Sequence, residues 1–326
     1  MSQLEKSIKN ITSYNYLSKN IDETDIINIG YGIDDGYCRC MASSIVSFCI
    51  NNKNRNFCFH IIGSNISDVN KEKIEKLAQE YSIDIIIYDI DVTYLKNMPD
   101  FKLSHFSSAI FYRIILPLII KDKKYIIYID ADILCLNSVD ELFDLDLKDN
   151  IAGVVSDLNY MTEWRCPLLN LKNHIYFNSG MLKININLWN QENISSKLIE
   201  LLKGNQEKFT YPDQDALNIL LTQKVKYLNK RYNNINLPGT DPSKIGLIHF
   251  TGCPKPWSSI WHFSQPKESL VADIYDFYEQ KTPWANMPLE PPTKYEEMRG
   301  YVKTLLYKKH LFSAIKWGIK AILSRF

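Results

Sequence analysis

The chain has 326 residues, 38 Lys/Arg against 37 Asp/Glu, and a formal net charge of +1. That balance excludes the strong basic excess of a nucleic-acid binder. An apolar share of 45% with 23% charged residues excludes global disorder. At about 150 residues per domain, the length fits one large α/β body with an appendage, or two smaller domains.

The charge is uneven. From Lys294 to Phe326 there are eight Lys/Arg and two acids, a net +6, which leaves −5 for the preceding residues. The seven cysteines are scattered with no C-x-x-C pair, so neither a zinc site nor a redox pair is indicated. The first ten residues, MSQLEKSIKN, lack the apolar stretch of a secretory signal, and no run reaches the roughly 18 apolar residues of a membrane span. These features point to a reducing cytoplasm.

In chain order, a polar leader precedes a strand at 26–31, a helix of small and apolar residues at 41–50 and a second strand at 57–62. Over 67–81, Ile74, Leu77, Ala78 and Tyr81 recur at helical spacing, so this stretch predicts an amphipathic helix lying on a sheet. A strand at 83–90, a helix at 104–116 and a strand at 125–129 follow, the last apolar throughout, as strands covered on both faces are. Further β-like runs at 151–155 and 245–250 are separated by helices at 194–202 and 214–221. Alternating β and α elements imply a mostly parallel, doubly wound sheet. The segment PWANMPLEPP, 283–292, reads as a linker, since proline joins neither a ladder nor a helix interior. The expected division is a catalytic body at 1–282 and an extension at 283–326.

The strongest chemical signal is YIIYIDADILC, in which an apolar strand runs directly into Asp130, Ala131 and Asp132. Residues two apart in extended chain point the same way, so the two carboxylates converge at the strand's carboxyl end. There they repel unless a proton or cation is shared. Open α/β sheets bind ligands at that edge, and oxygen ligands suit Mg²⁺ or Mn²⁺ with positions left open for phosphates. A turn capped by both aspartates is the plainer alternative.

Six blocks in order, NIGYGIDDGY, FYRIILPLII, YIDADILC, YFNSGMLKIN, YPDQDALN and HFTGCPKPW, span residues 28 to about 257. Together they resemble the retaining glycosyltransferases of family eight, which include glycogenin and bacterial lipopolysaccharide hexosyltransferases. The resemblance implies a GT-A-like, Rossmann-type domain with a mixed, mostly parallel sheet. It also implies a UDP-hexose donor, Mn²⁺ or Mg²⁺, and a retained α-linkage. Asp130, Asp132 and His249 correspond to the family's metal ligands. Gly252 would allow close backbone approach and Lys255 would supply a charge for the diphosphate. Gly32, Asp34 and Gly36 would cradle uracil and ribose, or form a plain Gly/Asp turn. Many relatives carry asparagine at the position of Gly36.

By the same resemblance Arg113 and Ala131 contact the donor, an ordinary helix-surface ion pair being the local alternative for Arg113, and Asn178, Ser179 and Gly180 form a turn lining its sugar. Asp213 would bind sugar hydroxyls and Gln214 would sit near the anomeric carbon; a helix cap at Asp213 is the local alternative. An amide is a poor nucleophile, which favours front-face displacement with the donor phosphate helping to deprotonate the acceptor. Trp164, Trp257 and Trp261 are candidates for an acceptor wall, and Trp189 for the core.

The extension resembles that of lipopolysaccharide-core glucosyl- and galactosyltransferases. Taking about 100° per residue, Leu311, Ile315, Ile319, Ile322 and Phe326 share one helix side bordered by Lys309, Lys316 and Lys320. Such a helix either packs on the catalytic body or lies on anionic lipid. The resemblance thus implies an acceptor hexose in the lipopolysaccharide outer core and a location at the cytoplasmic face of the inner membrane. No motif separates glucose from galactose as the transferred sugar. Other readings are a glycogenin-like glycan transferase, a sugar nucleotidyltransferase, or a non-catalytic assembly scaffold. The acidic GYGIDDGY lacks the basic triphosphate loop that the nucleotidyltransferase would need.

Overall fold

The computed structural model describes residues 5–93, 109–204, 208–235, 241–252, 254–264 and 270–324. Expected features at 104–108, Cys253 and Phe326 lie outside them. The strands are β1 (Ile8–Asn15), β2 (Ile26–Asp34), β3 (Asn56–Ser64), β4 (Asp84–Ile90), β5 (Tyr125–Ile129), β6 (Ile133–Cys135), β7 (Ala152–Ser156), β8 (Phe177–Asn185), β9 (Val225–Tyr227) and β10 (Leu247–His249). The helices of the same span are α1 (Cys38–Asn51), α2 (Asp68–Tyr81), α3 (Ala109–Ile119), α4 (Asp140–Asp144), α5 (Asn159–Leu169), α6 (Ile186–Gln191), α7 (Ile194–Gly204) and α8 (Pro212–Leu221).

Among the described residues, eight strands form one sheet in the order β1-β4-β3-β2-β5-β8-β7-β9. The run β4-β3-β2-β5 is parallel, as the alternation of strands and helices predicts. β8 lies antiparallel to both β5 and β7, which makes the sheet mixed. Strand β5 is buried from Ile126 to Ile129, so its apolar sequence reflects cover on both faces. Helix α2 starts as read: the Ser67 hydroxyl accepts from the Asn70 N–H, and Ile74, Leu77 and Ala78 are buried.

Three readings need correction. The polar leader contains β1, which pairs antiparallel with β4 at the sheet edge, with Ile11 opposite Tyr88. Its alternating intermediate and exposed residues give no apolar run to detect. Asn178, Ser179 and Gly180 are not a turn but lie within the fully buried strand β8. Neighbouring strands on both sides override their low strand propensity. The run at 245–250 contributes only β10, which pairs with β6 in a separate two-stranded ladder.

Beneath the edge formed by the carboxyl end of β5 and the amino end of β8, Ile126, Tyr128, Leu182 and Ile184 pack with Ile114, Leu116 and Trp189 in one apolar core. Trp189 also donates its indole N–H to Ser195 Oγ at 2.9 Å, the polar contact a buried indole requires. Helix α5 is tied to α8 by a pair the sequence did not signal. Arg165 and Asp215, 1% and 0% exposed, meet through two hydrogen bonds of 3.2 and 2.6 Å. Asp215 also accepts from the Tyr176 hydroxyl and from the backbone N–H groups of Thr210 and Tyr211.

The chain divides into two compact units, residues 1–249 and 250–326. The second contains α9 (Ser259–Ser264), α10 (Leu270–Glu279), α11 (Tyr295–Tyr307) and α12 (Leu311–Leu323). Within it the Pro-rich segment is partly anchored, with Trp284 buried and Glu290 bridged to Ser258 and Ser259. Helix α12 packs its small residues inward: Ala314 and Ala321 are buried, whereas Phe312, Ile315 and Ile319 are 92%, 62% and 55% exposed. No helix among the described residues is long and apolar enough to cross a membrane.

Removing one partner of a buried ion pair leaves the other charge uncompensated, at a cost of about 3–5 kcal/mol. Asp215→Ala is therefore expected to lower the urea-unfolding free energy by about that amount. A loss below about 1 kcal/mol, the range of a surface pair, would contradict the structural role assigned to Arg165–Asp215.

Candidate active site

Strand β5 ends at Ile129 and delivers Asp130 and Asp132 to the carboxyl edge of the sheet. β10 delivers His249 to the same point through its pairing with β6, where His249 lies opposite Ile133. Asp130, Asp132 and His249 each present one ligand atom, and these atoms lie within 4.8 Å of one another. His249 Nε2 is 3.2 Å from Asp132 Oδ1 and 3.8 Å from Asp130 Oδ2. Two carboxylate oxygens and one imidazole nitrogen at these separations fit a divalent cation.

Arg113, on α3, is buried beneath this cluster. Its guanidinium reaches Asp130 at 2.9 Å and Asp213 at 2.8 Å, and donates to the Ser179 carbonyl and hydroxyl at 3.0 and 2.6 Å. It also lies over the Tyr128 ring, 4.7 Å from the centroid. Burial works against the charge, but Asp130 and Asp213 outweigh it and raise the Arg113 pKa. This is no ordinary surface ion pair. Tyr128 shares the strand face of Asp130 by the two-residue period and donates its hydroxyl to Asp130 Oδ1 at 2.8 Å. Burial, opposed by Arg113 and reinforced by Asp130, pushes the Tyr128 hydroxyl well above its usual range, which keeps it a donor.

Asp213 does not cap its helix: Pro212 opens α8, and the capping position is Tyr211, without a side-chain bond. The Asp213 carboxylate instead faces Arg113 and Ser179 Oγ. Gln214 accepts from Asn178 Nδ2 and the Ser179 N–H at 3.1 and 3.0 Å, and donates to Asp157 at 3.0 Å. Its amide thus ties α8 to β8 and to the end of β7. Asn178 Oδ1 accepts from the Gly180 N–H at 3.0 Å and from Asn233 Nδ2 at 2.8 Å, and Asn233 Oδ1 is 3.0 Å from His249 Nδ1. One network runs from Gln214 to the metal-ligand cluster.

Gly180 stands where any side chain would collide. A Cβ there would meet His249 Cε1 at 2.3 Å and Asp130 Oδ2 at 2.9 Å. Its carbonyl also accepts the Asp130 N–H at 2.7 Å, so β8 sets where the aspartate begins. Ala131 is buried between the two ligands. Gly30 of β2 pairs with Tyr128 of β5, so Gly32 and Asp130, two residues further along each strand, reach the same edge. A Cβ at Gly32 would meet Tyr112 Cβ at 2.7 Å; its first effect is to let α3, and hence Arg113, approach the sheet. Asp34 and Gly36 are exposed, and Asp34 Oδ1 accepts from the Tyr37 N–H at 3.2 Å. A Cβ at Gly36 would make only an ordinary 3.5 Å contact, so its backbone does not demand glycine.

Trp164 is 44% exposed on α5 and meets the Tyr211 ring edge-on at 6.3 Å, next to the start of α8. Gly252, Lys255, Trp257 and Trp261 belong to the second unit. Gly252 has φ +78°, the left-handed region that favours glycine. Lys255 Nζ donates to the Phe250 carbonyl at 2.9 Å. Trp257 is 5% exposed and packs on Tyr275, while Trp261 meets Phe250 edge-on. Sequence reasoning passed over Tyr128, Asp157 and Asn233. The first was detectable from the two-residue period of β5, and the second from an acid directly after the apolar strand β7. Asn233 follows a short 3₁₀ turn and carries no local signal.

Gly180→Ala is expected to fold but to lose at least about tenfold in Mn²⁺ affinity, measured by the electron paramagnetic resonance of free Mn²⁺, because His249 and Asp130 must separate. Unchanged affinity would contradict the close packing just described.

The description "Glycosyl transferase family 8" matches residues 28–261, and "Glycosyl transferase family 8 C-terminal" matches residues 271–324. The chain is 32% identical to lipopolysaccharide 1,3-galactosyltransferase of Salmonella typhimurium, covering 97% of this chain and 95% of that protein. It is 31% identical to a lipopolysaccharide 1,2-glucosyltransferase of Escherichia coli, covering 92% of each. Among solved structures, the galactosyltransferase LgtC in complex with donor and acceptor sugar analogs aligns with a TM-score of 0.66, covering 84% of this chain and 100% of that chain. At 24% identity that likeness concerns the fold, a GT-A sheet. With family matches in both compact units and relatives aligned almost end to end, the chain belongs to glycosyl transferase family 8 and is a hexosyltransferase.

Proposed function

We propose that this chain transfers glucose or galactose from a UDP-sugar to a hexose of the lipopolysaccharide outer core, with retention and formation of an α-linkage. The observation that carries the reading is the convergence of Asp130, Asp132 and His249 beside the Arg113–Asp213 pair at the carboxyl edge of β5. The names of the two relatives supply the acceptor class.

Asp130, Asp132 and His249 would hold the cation, and the nitrogen donor favours Mn²⁺ over the more strictly oxygen-seeking Mg²⁺. The bound cation would supply charge neutralisation for the departing uridine diphosphate. Gly32, Asp34 and Gly36 are assigned to the nucleoside, Gly252 and Lys255 to the diphosphate. Arg113 holds Asp130 and Asp213 in fixed positions, so the carboxylates need not reorganise as charge develops. Asp213 is assigned to the hydroxyls of the transferred hexose. Gln214, whose amide is engaged with Asn178, Ser179 and Asp157, is assigned to shaping the floor beneath the anomeric carbon rather than to attack on it. Front-face displacement, with the donor phosphate taking the acceptor proton, asks for no protein nucleophile.

Trp164 with Tyr211 is the favoured acceptor wall of the three tryptophan candidates, since its ring remains half exposed. The functional division is placed at 282/283. The extension is assigned to the anionic inner-membrane surface. Helix α12 turns large apolar residues outward with Lys316 and Lys320 exposed along the same helix, the composition of an interfacial helix.

Purified protein with Mn²⁺ is expected to hydrolyse UDP-glucose or UDP-galactose slowly without acceptor. Asp132→Ala should reduce that rate by about a thousandfold, the equivalent of several kcal/mol of charge stabilisation. Turnover of a sugar phosphate with a nucleoside triphosphate would favour the nucleotidyltransferase instead. Full-length protein should float with anionic liposomes, and the double substitution Phe312→Glu, Ile319→Glu should abolish flotation. Equal flotation of both proteins would remove the membrane assignment.

A further inference from the structure

Asn233 lies 16 residues before His249 in sequence, yet its side chain joins the catalytic network. Amide ends are assigned from their partners, and here the assignment starts from backbone N–H groups, which can only donate. The Gly180 N–H bonds Asn178 at 3.0 Å, so that end of Asn178 is its oxygen. The Ser179 N–H bonds Gln214 at 3.0 Å, so that end of Gln214 is its oxygen, and the Asn178 atom facing it at 3.1 Å must be nitrogen. The two anchors agree. The Asn233 atom 2.8 Å from Asn178 Oδ1 is then the amide nitrogen, and its oxygen faces His249 Nδ1 at 3.0 Å. An oxygen there accepts only, so Nδ1 carries a hydrogen and Nε2 is the ring nitrogen that faces Asp130 and Asp132.

We infer that Asn233 is a positioning residue that fixes the tautomer and ring orientation of His249, so that Nε2 is presented to a divalent cation. The inference deepens the metal assignment made above and rests on it. Asn233 is 3% exposed, and its amide is held at both ends, by Asn178 and by His249, so it does not rotate to offer the ring its nitrogen instead. The sheet thereby reaches the third ligand through two asparagines: β8 orients Asn178, Asn178 orients Asn233, and Asn233 orients the imidazole. Partners of this kind around metal-bound histidine are typically worth about 10–100-fold in metal affinity.

The test is the affinity for Mn²⁺ alone, read from the electron paramagnetic resonance of the free ion, for the wild type, Asn233→Ala and Asn233→Asp, with the metal-free melting curve as a control of folding. Asn233→Ala removes the acceptor and is expected to weaken Mn²⁺ binding by about 10–100-fold. Asn233→Asp keeps an acceptor for Nδ1–H while removing the donor to Asn178, and is expected to stay within severalfold of the wild type. Wild-type affinity in Asn233→Ala would overturn the inference. So would an Asn233→Asp variant as weak as Asn233→Ala, which would assign the loss to the bond with Asn178. Should Asn233→Ala fail to fold, Asn233→Asp decides alone: near-wild-type affinity supports the inference and a loss of tenfold or more overturns it. A wild type that takes up no Mn²⁺ would instead overturn the metal assignment on which the inference rests.

Discussion

Two carboxylates and an imidazole, each with a ligand atom within 4.8 Å of the others, form a set that suits a divalent cation, and the surrounding structure is arranged to keep them there. Asp130 is fixed by three bonds of different kinds: its carboxylate accepts from the Arg113 guanidinium and the Tyr128 hydroxyl, and its backbone N–H donates to the Gly180 carbonyl. Around a partly buried carboxylate such fixed dipoles act more strongly than they would in bulk solution, and little reorganisation is needed when charge moves. The cluster is arranged as a divalent cation would require, and the proposed phosphate leaving group would be met through that cation.

That arrangement depends on β8 more than on the strand carrying the aspartates. β8 lies between β5 and β7, and its Asn178–Ser179–Gly180 stretch supplies groups to Arg113, Gln214, Asn233 and Asp130. Gly180 leaves space for His249 and Asp130 to approach, and the neighbouring amides carry the hydrogen bonds that any larger apolar residue would break. A buried polar network of this kind is costly if incomplete and rigid if complete. The apolar layer below it, with Trp189, Leu182 and Ile184, provides the support on which the polar layer rests.

Much of this was legible in the sequence, for identifiable reasons. The parallel run β4-β3-β2-β5 follows from apolar strands alternating with an amphipathic helix. The acid pair stood out because an uninterrupted apolar strand has no reason to end in two carboxylates unless they meet something. Three parts were not legible. β1 is an edge strand with little buried surface, so it leaves no apolar pattern. Asn-Ser-Gly is turn chemistry in isolation, and only the strands on either side make it a strand. Asn233 acts through a contact with a residue 55 positions away, a relation that no local spacing encodes. The apolar side of α12, with Ile315, Ile319 and Ile322 beside Lys316 and Lys320, matches the helical reading, whereas Lys309 precedes the helix with φ +61°; that the small residues turn inward and the large ones outward required the packing of the second unit.

The most direct test of the central claim is anomalous diffraction at the manganese edge from crystals grown with Mn²⁺ and UDP. The account predicts a single strong peak within bonding distance of Asp130, Asp132 and His249 Nε2, with the diphosphate on its open side. A manganese peak elsewhere, or a nucleotide bound with its phosphates away from this cluster, would contradict it.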